Sequence, residues 1–155
     1  MADSRTEFDI VVLGGGSGGY AAALRASQLG LSVALVEGAK VGGTCLHNGC
    51  IPTKALLHAA ELADQAREAA HFGVNASLES IDMAGVNNYK DTVIGGLYKG
   101  LQGLVKARGV TLVEGWGTLV AKDAVEVDGV RYVGKHVVLA TGSYARSLPG
   151  LEIGG

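Results

Sequence analysis

Phe8-Asp9-Ile10-Val11-Val12-Leu13-Gly14-Gly15-Gly16-Ser17-Gly18-Gly19 is the stretch whose reading decides the fold. Its first half is a short β-branched, apolar run that fits a strand buried on both faces. Its second half is a glycine loop. The Ala-rich residues 20–29 follow as a helical stretch, and Gly30 closes it as a C-terminal glycine should. Residues 31–36, Leu-Ser-Val-Ala-Leu-Val, predict a second buried strand ending at Glu37. The result is a β-α-β unit, in which the helix is the crossover that parallel pairing needs.

Gly14, Gly16 and Gly19 satisfy G-x-G-x-x-G in the setting that gives the pattern meaning. The first glycine allows a tight turn, the second lets a pyrophosphate approach the backbone, and the third lets helix pack on strand. The helix N-terminus offers free N–H groups and a partial positive charge to the phosphates. Glu37 lies 18 residues past Gly19, close to the ~20 expected of the acid that binds a ribose hydroxyl. An acid there favours an unphosphorylated ribose. The competing reading is a glycine-rich turn without a ligand, and the motif by itself does not separate FAD from NAD.

Bulk composition narrows the class. A chain of 155 residues is one domain's worth, and 48% hydrophobic with 18% charged residues is an ordinary globular composition. A net charge of -2 gives no basic excess for nucleic acid. Glycine is the outlier, 25 residues gathered at segment ends without a collagen-like period, which suits tight turns and close ligand approach. Residues 1–7 carry two acids and no apolar core, so no secretory signal is expected, and no apolar run nears the ~20 residues of a membrane helix. Two cysteines close together in such a chain point to redox or metal chemistry and to the cytoplasm.

Both cysteines lie in Gly42-Gly43-Thr44-Cys45-Leu46-His47-Asn48-Gly49-Cys50-Ile51-Pro52-Thr53-Lys54. In a regular α-helix, residues five apart have Cα atoms about 8–9 Å apart, whereas a disulfide needs roughly 4.4–6.8 Å. A bridge between Cys45 and Cys50 therefore requires a broken helix, for which Gly49 and Pro52 supply permission and distortion. So small a ring predicts an easily reduced bond. A helix starting here and Lys54 would both stabilise a thiolate. Two alternatives remain at this point. The thiols could be small buried groups that never pair, or Cys45, His47, Cys50 and His58 could hold zinc, although structural zinc sites more often join two separated short pairs.

Downstream, residues 55–71 are strong helix formers, and a long helix is expected from about 82 to 108. Its apolar stripe of Val86, Tyr89, Val93, Leu97, Leu101 and Leu104 reads as core, and Gly95, Gly96, Gly100 and Gly103 suggest close helix packing. From Val110 the period becomes strand-like. Residues 111–114 form one strand. Residues 117–120, 124–127 and 130–133 form a small antiparallel meander with Asp128-Gly129 as its hairpin turn, and 136–140 is a last buried strand. The expected class is α/β: a Rossmann-like domain over residues 1–150 with a parallel sheet, flanking helices and a meander. Residues 151–155 are read as the start of a linker.

The cysteine stretch resembles the redox-active disulfide motif of the flavin-dependent pyridine-nucleotide disulfide reductases. It is most similar to their dihydrolipoamide dehydrogenase branch: Leu46 and the Ile51-Pro52-Thr53-Lys54 ending differ from the valines more usual in glutathione and mercuric reductases. The glycine loop and the late Ala140-Thr141-Gly142-Ser143 fit the same family, and His47, where many members have Asn, is a minor departure.

The resemblance implies an FAD-binding domain, with Gly14, Gly16 and Gly19 at the pyrophosphate, Glu37 at the adenosine ribose and Gly117 at the adenine end. Gly43, Thr44 and Lys54 would lie along the flavin, and Thr141, Gly142 and Ser143 would touch the cofactor where the chain leaves the domain. Cys45 would be the interchange thiol that meets a lipoyl dithiol, and Cys50 the thiolate against the flavin, with electrons passing on to NAD+. The resemblance also implies a homodimer serving a 2-oxoacid dehydrogenase complex. It covers about the first third of such an enzyme, so the 155 residues alone are expected to lack NAD-linked turnover. A disulfide reductase of another substrate, or a dinucleotide-binding module without a redox role, are the alternatives.

Overall fold

The computed structural model describes residues 6–153. Residues 1–5 at the N-terminus, where no secretory signal is expected, and residues 154–155 of the expected linker lie outside the described residues. The parallel part of the sheet is β1 (Glu7–Leu13), β2 (Val33–Glu37), β3 (Thr111–Glu114) and β6 (Val130–Leu139). With β4 (Thr118–Ala121) and β5 (Ala124–Val127) the strand order is β3-β2-β1-β6-β5-β4. β1 is central, parallel to β2 on one side and to β6 on the other. β5 runs antiparallel to β6, and β4 antiparallel to β5. The helices are α1 (Ser17–Gln28), α2 (Gly43–His47), α3 (Cys50–Glu68) and α4 (Met83–Ala107), with a 3-10 turn at Ala69–Phe72.

Alternation along the strands builds two cores, since successive side chains point to opposite faces. Val12 of β1 with Val33 and Leu35 of β2 packs beneath α1 residues Ala23 and Ala26 and against Val105 of α4. Val11 and Leu13 with Ala34 and Val36 face the other way, onto Val125 and Val127 of β5. Helices therefore cover one face of the parallel sheet, and the antiparallel strands fold back over the other.

Several boundaries differ from those expected. The third meander strand and the last buried strand are one element, β6, which pairs with β5 through Val133 and with β1 from Val133 onward. Gly134 permits the change of partner: a Cβ there would stand 2.7 Å from the His136 carbonyl oxygen and 2.9 Å from Val11 N. β2 starts at Val33 rather than at residue 31, because Ser32 is engaged elsewhere. Its N–H and Oγ donate to Asp9 Oδ2 at 2.8 and 2.7 Å, while Lys135 Nζ donates to Asp9 Oδ1 at 2.7 Å. The bond from Lys135, then those from Ser32, hold the Asp9 carboxyl well below the usual carboxylate range. Three strands are thus pinned together at the end of the sheet remote from the glycine loop.

The long helix forms where its period placed it, with Asp82 Oδ1 accepting from Ala84 N as N-cap. Its apolar stripe is core only in part, however: Leu101 packs against the cluster under α1, and Val86 and Val93 are half-buried. Tyr89, Leu97 and Leu104 are exposed, and Val105 is the buried residue of α4. Nor is there close packing at Gly95, Gly96, Gly100 or Gly103, where an added Cβ would meet no atom within 4 Å. Periodicity identified the helix and its apolar side, but one side of a helix becomes core only where another element covers it.

Candidate functional site

The glycine loop is anchored at both sides. Gly14 N–H donates to Val36 O at 2.8 Å, and Gly42 N–H donates to Gly15 O at 2.8 Å. Gly14 has φ +102, and a Cβ on it would run into the Ala140 carbonyl oxygen. Gly19 faces Gly14 across the helix–strand contact, and a Cβ there would overlap the Gly14 carbonyl oxygen. Gly16 is different: φ is -69, and a Cβ would meet nothing within 4 Å. Two glycines of the motif are thus required by the fold, while the space beside the third is left open. Gly16 is also the N-cap of α1, with no side-chain cap and no acid in the first turn. The first N–H groups of the helix are therefore available to an anion.

Glu37 comes to this loop from the end of β2. Its Oε2 accepts from Gly15 N–H at 2.6 Å and its Oε1 from Ala39 N–H at 2.8 Å. The carboxylate is oriented by two backbone donors and retains acceptor capacity on each oxygen.

The cysteine segment lies against the loop. Gly43, at φ +58, approaches so closely that a Cβ would be 2.7 Å from Gly16 Cα. Cys45 in α2 and Cys50 at the start of α3 form a disulfide with Cα atoms 4.6 Å apart. The helix breaks between them at Asn48, φ -133, and Gly49, φ -134 and ψ -104, as the bridge geometry requires. Pro52 falls in the first turn of α3, where its missing N–H costs nothing. His47 Nε2 donates to Val41 O at 3.0 Å, and its ring meets Tyr98 of α4 edge-on at 5.0 Å. The ligand set of the zinc reading is not assembled, since the thiols are joined, His47 is held by Val41, and His58 lies beside Glu61 on α3.

Two cavities meet at the disulfide. An open cleft of about 530 Å³ is lined by Gly16, Ser17 and Gly18, by Thr44, Cys45, Gly49 and Cys50, and by Ala140, Gly142 and Ser143. It joins the helix start, the disulfide and the exit of β6. A smaller, mostly apolar cavity of about 220 Å³ lies between Tyr20, Cys45, Leu46, Ile51, Leu97 and Leu101, with Ser17 and Gly42. Cys45 lines both cavities, whereas Cys50 lines the cleft.

Of the residues singled out in the sequence, Gly16, Thr44, Cys45, Cys50, Gly142 and Ser143 line the cleft directly. Gly14, Gly19, Gly43 and Glu37 hold the glycine loop and its neighbours through the contacts above without lining the cleft. Thr141 follows the chain past Gly14, which a Cβ would bring within 3.1 Å of Thr141 Cα. Lys54 stands exposed as the fifth residue of α3. Gly117 is apart from the cleft: a Cβ there would lie 2.6–2.9 Å from Leu13, Val36 and Val125, so packing alone requires a glycine. The second cavity was not foreseen. Leu97 and Leu101 were visible as stripe residues, but only the fold brings them to Cys45.

The family model described as pyridine nucleotide-disulphide oxidoreductase matches residues 8–155. The chain is 43% identical over 160 residues to a leghemoglobin reductase of Vigna unguiculata, covering 99% of this chain and 31% of that protein. It is 44% identical over 163 residues to a dihydrolipoyl dehydrogenase of Bacillus subtilis, covering 97% and 34%. It is 42% identical over 161 residues to a mitochondrial dihydrolipoyl dehydrogenase of Pisum sativum, covering 99% and 32%. The chain spans about a third of the length of the curated relatives it matches. A match that runs through every element framing the cleft supports one conclusion: the chain belongs to the pyridine nucleotide-disulphide oxidoreductase family.

Proposed function

We propose that these residues form the FAD-binding and disulfide-bearing part of a dihydrolipoyl dehydrogenase. The observation that carries the reading is the position of the Cys45–Cys50 disulfide, with Cys45 shared by an apolar cavity and by the open cleft at the start of α1. The cleft suits a phosphate-bearing ligand, with an uncapped helix N-terminus and open space at Gly16, and the Glu37 carboxylate is oriented on the adjoining loop at Gly15. Gly14, Gly16 and Gly19 would serve the pyrophosphate, Glu37 the ribose, and Gly117 the adenine end. Gly43, Thr44, Lys54, Thr141, Gly142 and Ser143 would serve the flavin half. FAD, when bound, supplies an acceptor for an electron pair.

The chain's own chemistry is thiol–disulfide exchange. An aliphatic dithiol enters by the apolar cavity, and its thiolate attacks Cys45 Sγ. The Cys45–Cys50 bond breaks and Cys50 leaves as a thiolate. The second substrate thiol then attacks the substrate sulfur of the mixed disulfide and releases Cys45. The substrate ends as a disulfide and the cysteine pair is reduced by two electrons. The start of α3 lies at Cys50, so its dipole favours the Cys50 thiolate.

Residues 1–150 would be the FAD-binding domain and 151–155 the start of a connection onward. For the whole enzyme we propose NAD+ as final acceptor, a homodimer, a lipoyl-bearing 2-oxoacid dehydrogenase complex as partner and a cytoplasmic location. Among the described residues no helix is long and apolar enough to cross a membrane. The test is the visible spectrum of the FAD-loaded protein under anaerobic dihydrolipoamide. A long-wavelength charge-transfer band that disappears in Cys45→Ser/Cys50→Ser is expected. Dithiol chemistry unchanged in the double variant would refute the reading.

A further inference from the structure

Trp116 is the chain's single tryptophan, and it is 80% exposed. Its place in the loop between β3 and β4 is tightly determined. On one side Gly115, at φ +148, donates its N–H to Glu37 O at 2.9 Å, and a Cβ on it would strike Val127. On the other side Gly117 is sunk against Leu13, Val36 and Val125. Both neighbours are turned inward, so the indole is thrown outward. It does not hang free: a Cβ on Gly38 would stand 2.5 Å from Trp116 Cδ2 and 2.8 Å from Cε2 and Cε3. These are contiguous ring atoms, so the indole lies over Gly38, the residue that follows Glu37. Only a glycine at 38 permits that seat.

We infer that Trp116 is a binding residue of the nucleotide site, an aromatic platform on which the adenine base stacks. This inference rests on the dinucleotide reading of the cleft and deepens it. Glu37 is assigned to the adenosine ribose, the base is bonded directly to that ribose, and the large aromatic surface nearest Glu37 in this loop is the indole on Gly38. An exposed tryptophan with its ring pressed on a backbone glycine contributes little to the core. It offers a rigid π surface to a flat purine base. Glu37 sets the sugar through hydrogen bonds, and Trp116 then sets the base through stacking, which favours adenine over a ligand that lacks a purine.

ADP is the probe, because it carries the base, ribose and pyrophosphate without a flavin to quench the emission by energy transfer. With one tryptophan in the chain, all tryptophan emission reports this position. ADP is expected to quench it saturably. Trp116→Ala should weaken ADP by roughly 5- to 150-fold, the range of one base–aromatic stack. Trp116→Phe should recover most of that loss, and binding of ribose 5-phosphate should be indifferent to both substitutions. The indole is exposed, so the thermal midpoint of Trp116→Ala should match the parent. ADP binding with unchanged emission and unchanged affinity in Trp116→Ala would overturn the platform and leave the dinucleotide reading standing. Failure of both ADP and FAD to bind the parent chain would overturn the two together.

Discussion

Gly16→Ala separates what the glycine motif does for the fold from what it does for a ligand. At Gly16 the backbone is ordinary, φ -69, and the new methyl meets no atom within 4 Å. Alanine is a poorer N-cap than glycine by about 1 kcal/mol, but it also stiffens the unfolded chain by ~0.4–1 kcal/mol in the opposite sense. The net change in stability should stay under about 1 kcal/mol, a shift within about 4 °C for a domain of this size. Gly19→Ala is the contrast, because its methyl would overlap the Gly14 carbonyl oxygen with the Ala140 Cβ 3.3 Å away. The obstruction is largely backbone, so no rotamer relieves it and α1 must lift from the sheet. A loss above about 3 kcal/mol is expected, beyond the usual ~1–3 kcal/mol of overpacking. For the ligand the order reverses in meaning. The Gly16 methyl occupies the space a pyrophosphate needs, and losing one charge-assisted N–H bond worth about 1.5–3 kcal/mol weakens ADP by roughly 10- to 150-fold. Thermal unfolding by circular dichroism and ADP titration by calorimetry read the two effects separately. The reasoning fails if Gly16→Ala melts as low as Gly19→Ala, or if it binds ADP as tightly as the parent.

Two further outcomes follow from the same geometry. Asp9→Asn should lower the thermal midpoint near neutral pH, because the carboxylate accepts from Ser32 and Lys135. Its folded-state pKa is depressed, so this stabilisation is fully present above the unfolded value of about 4 and is lost as pH falls below it. The gap between parent and variant should therefore narrow in acid, and a gap independent of pH would exclude the carboxylate as its cause. In the reduced protein, FAD should protect Cys50 from N-ethylmaleimide several-fold more than Cys45. Cys50 lines the cleft, while Cys45 also opens on the apolar cavity. Peptide mass spectrometry would show this, and equal protection would contradict the assignment of the two faces.

The sequence by itself determined the elements and the chemistry that lies within short spans. Glycine spacing, the apolar runs and Glu37 gave the β-α-β unit, because strand, turn and helix each follow from residues adjacent in the chain. That a bridge between Cys45 and Cys50 would need a broken helix was legible for the same reason, since a six-residue loop closed by a disulfide has little geometric freedom. The late Thr141, Gly142 and Ser143 entered by resemblance, and the approach of Thr141 to Gly14 and of Gly142 and Ser143 to the cleft at Gly16 is a tertiary fact.

Only the tertiary structure decided which apolar faces were covered. The α4 stripe is as regular as a core stripe, yet it is partly exposed, and two of its leucines wall a cavity at Cys45. It also divided the glycines by role: Gly16 faces open space, Gly14 and Gly19 face backbone, Gly117 faces side chains, and Gly38 seats an indole. A glycine looks the same in any sequence. What it permits depends on the atom that approaches it, and that atom comes from a distant part of the chain.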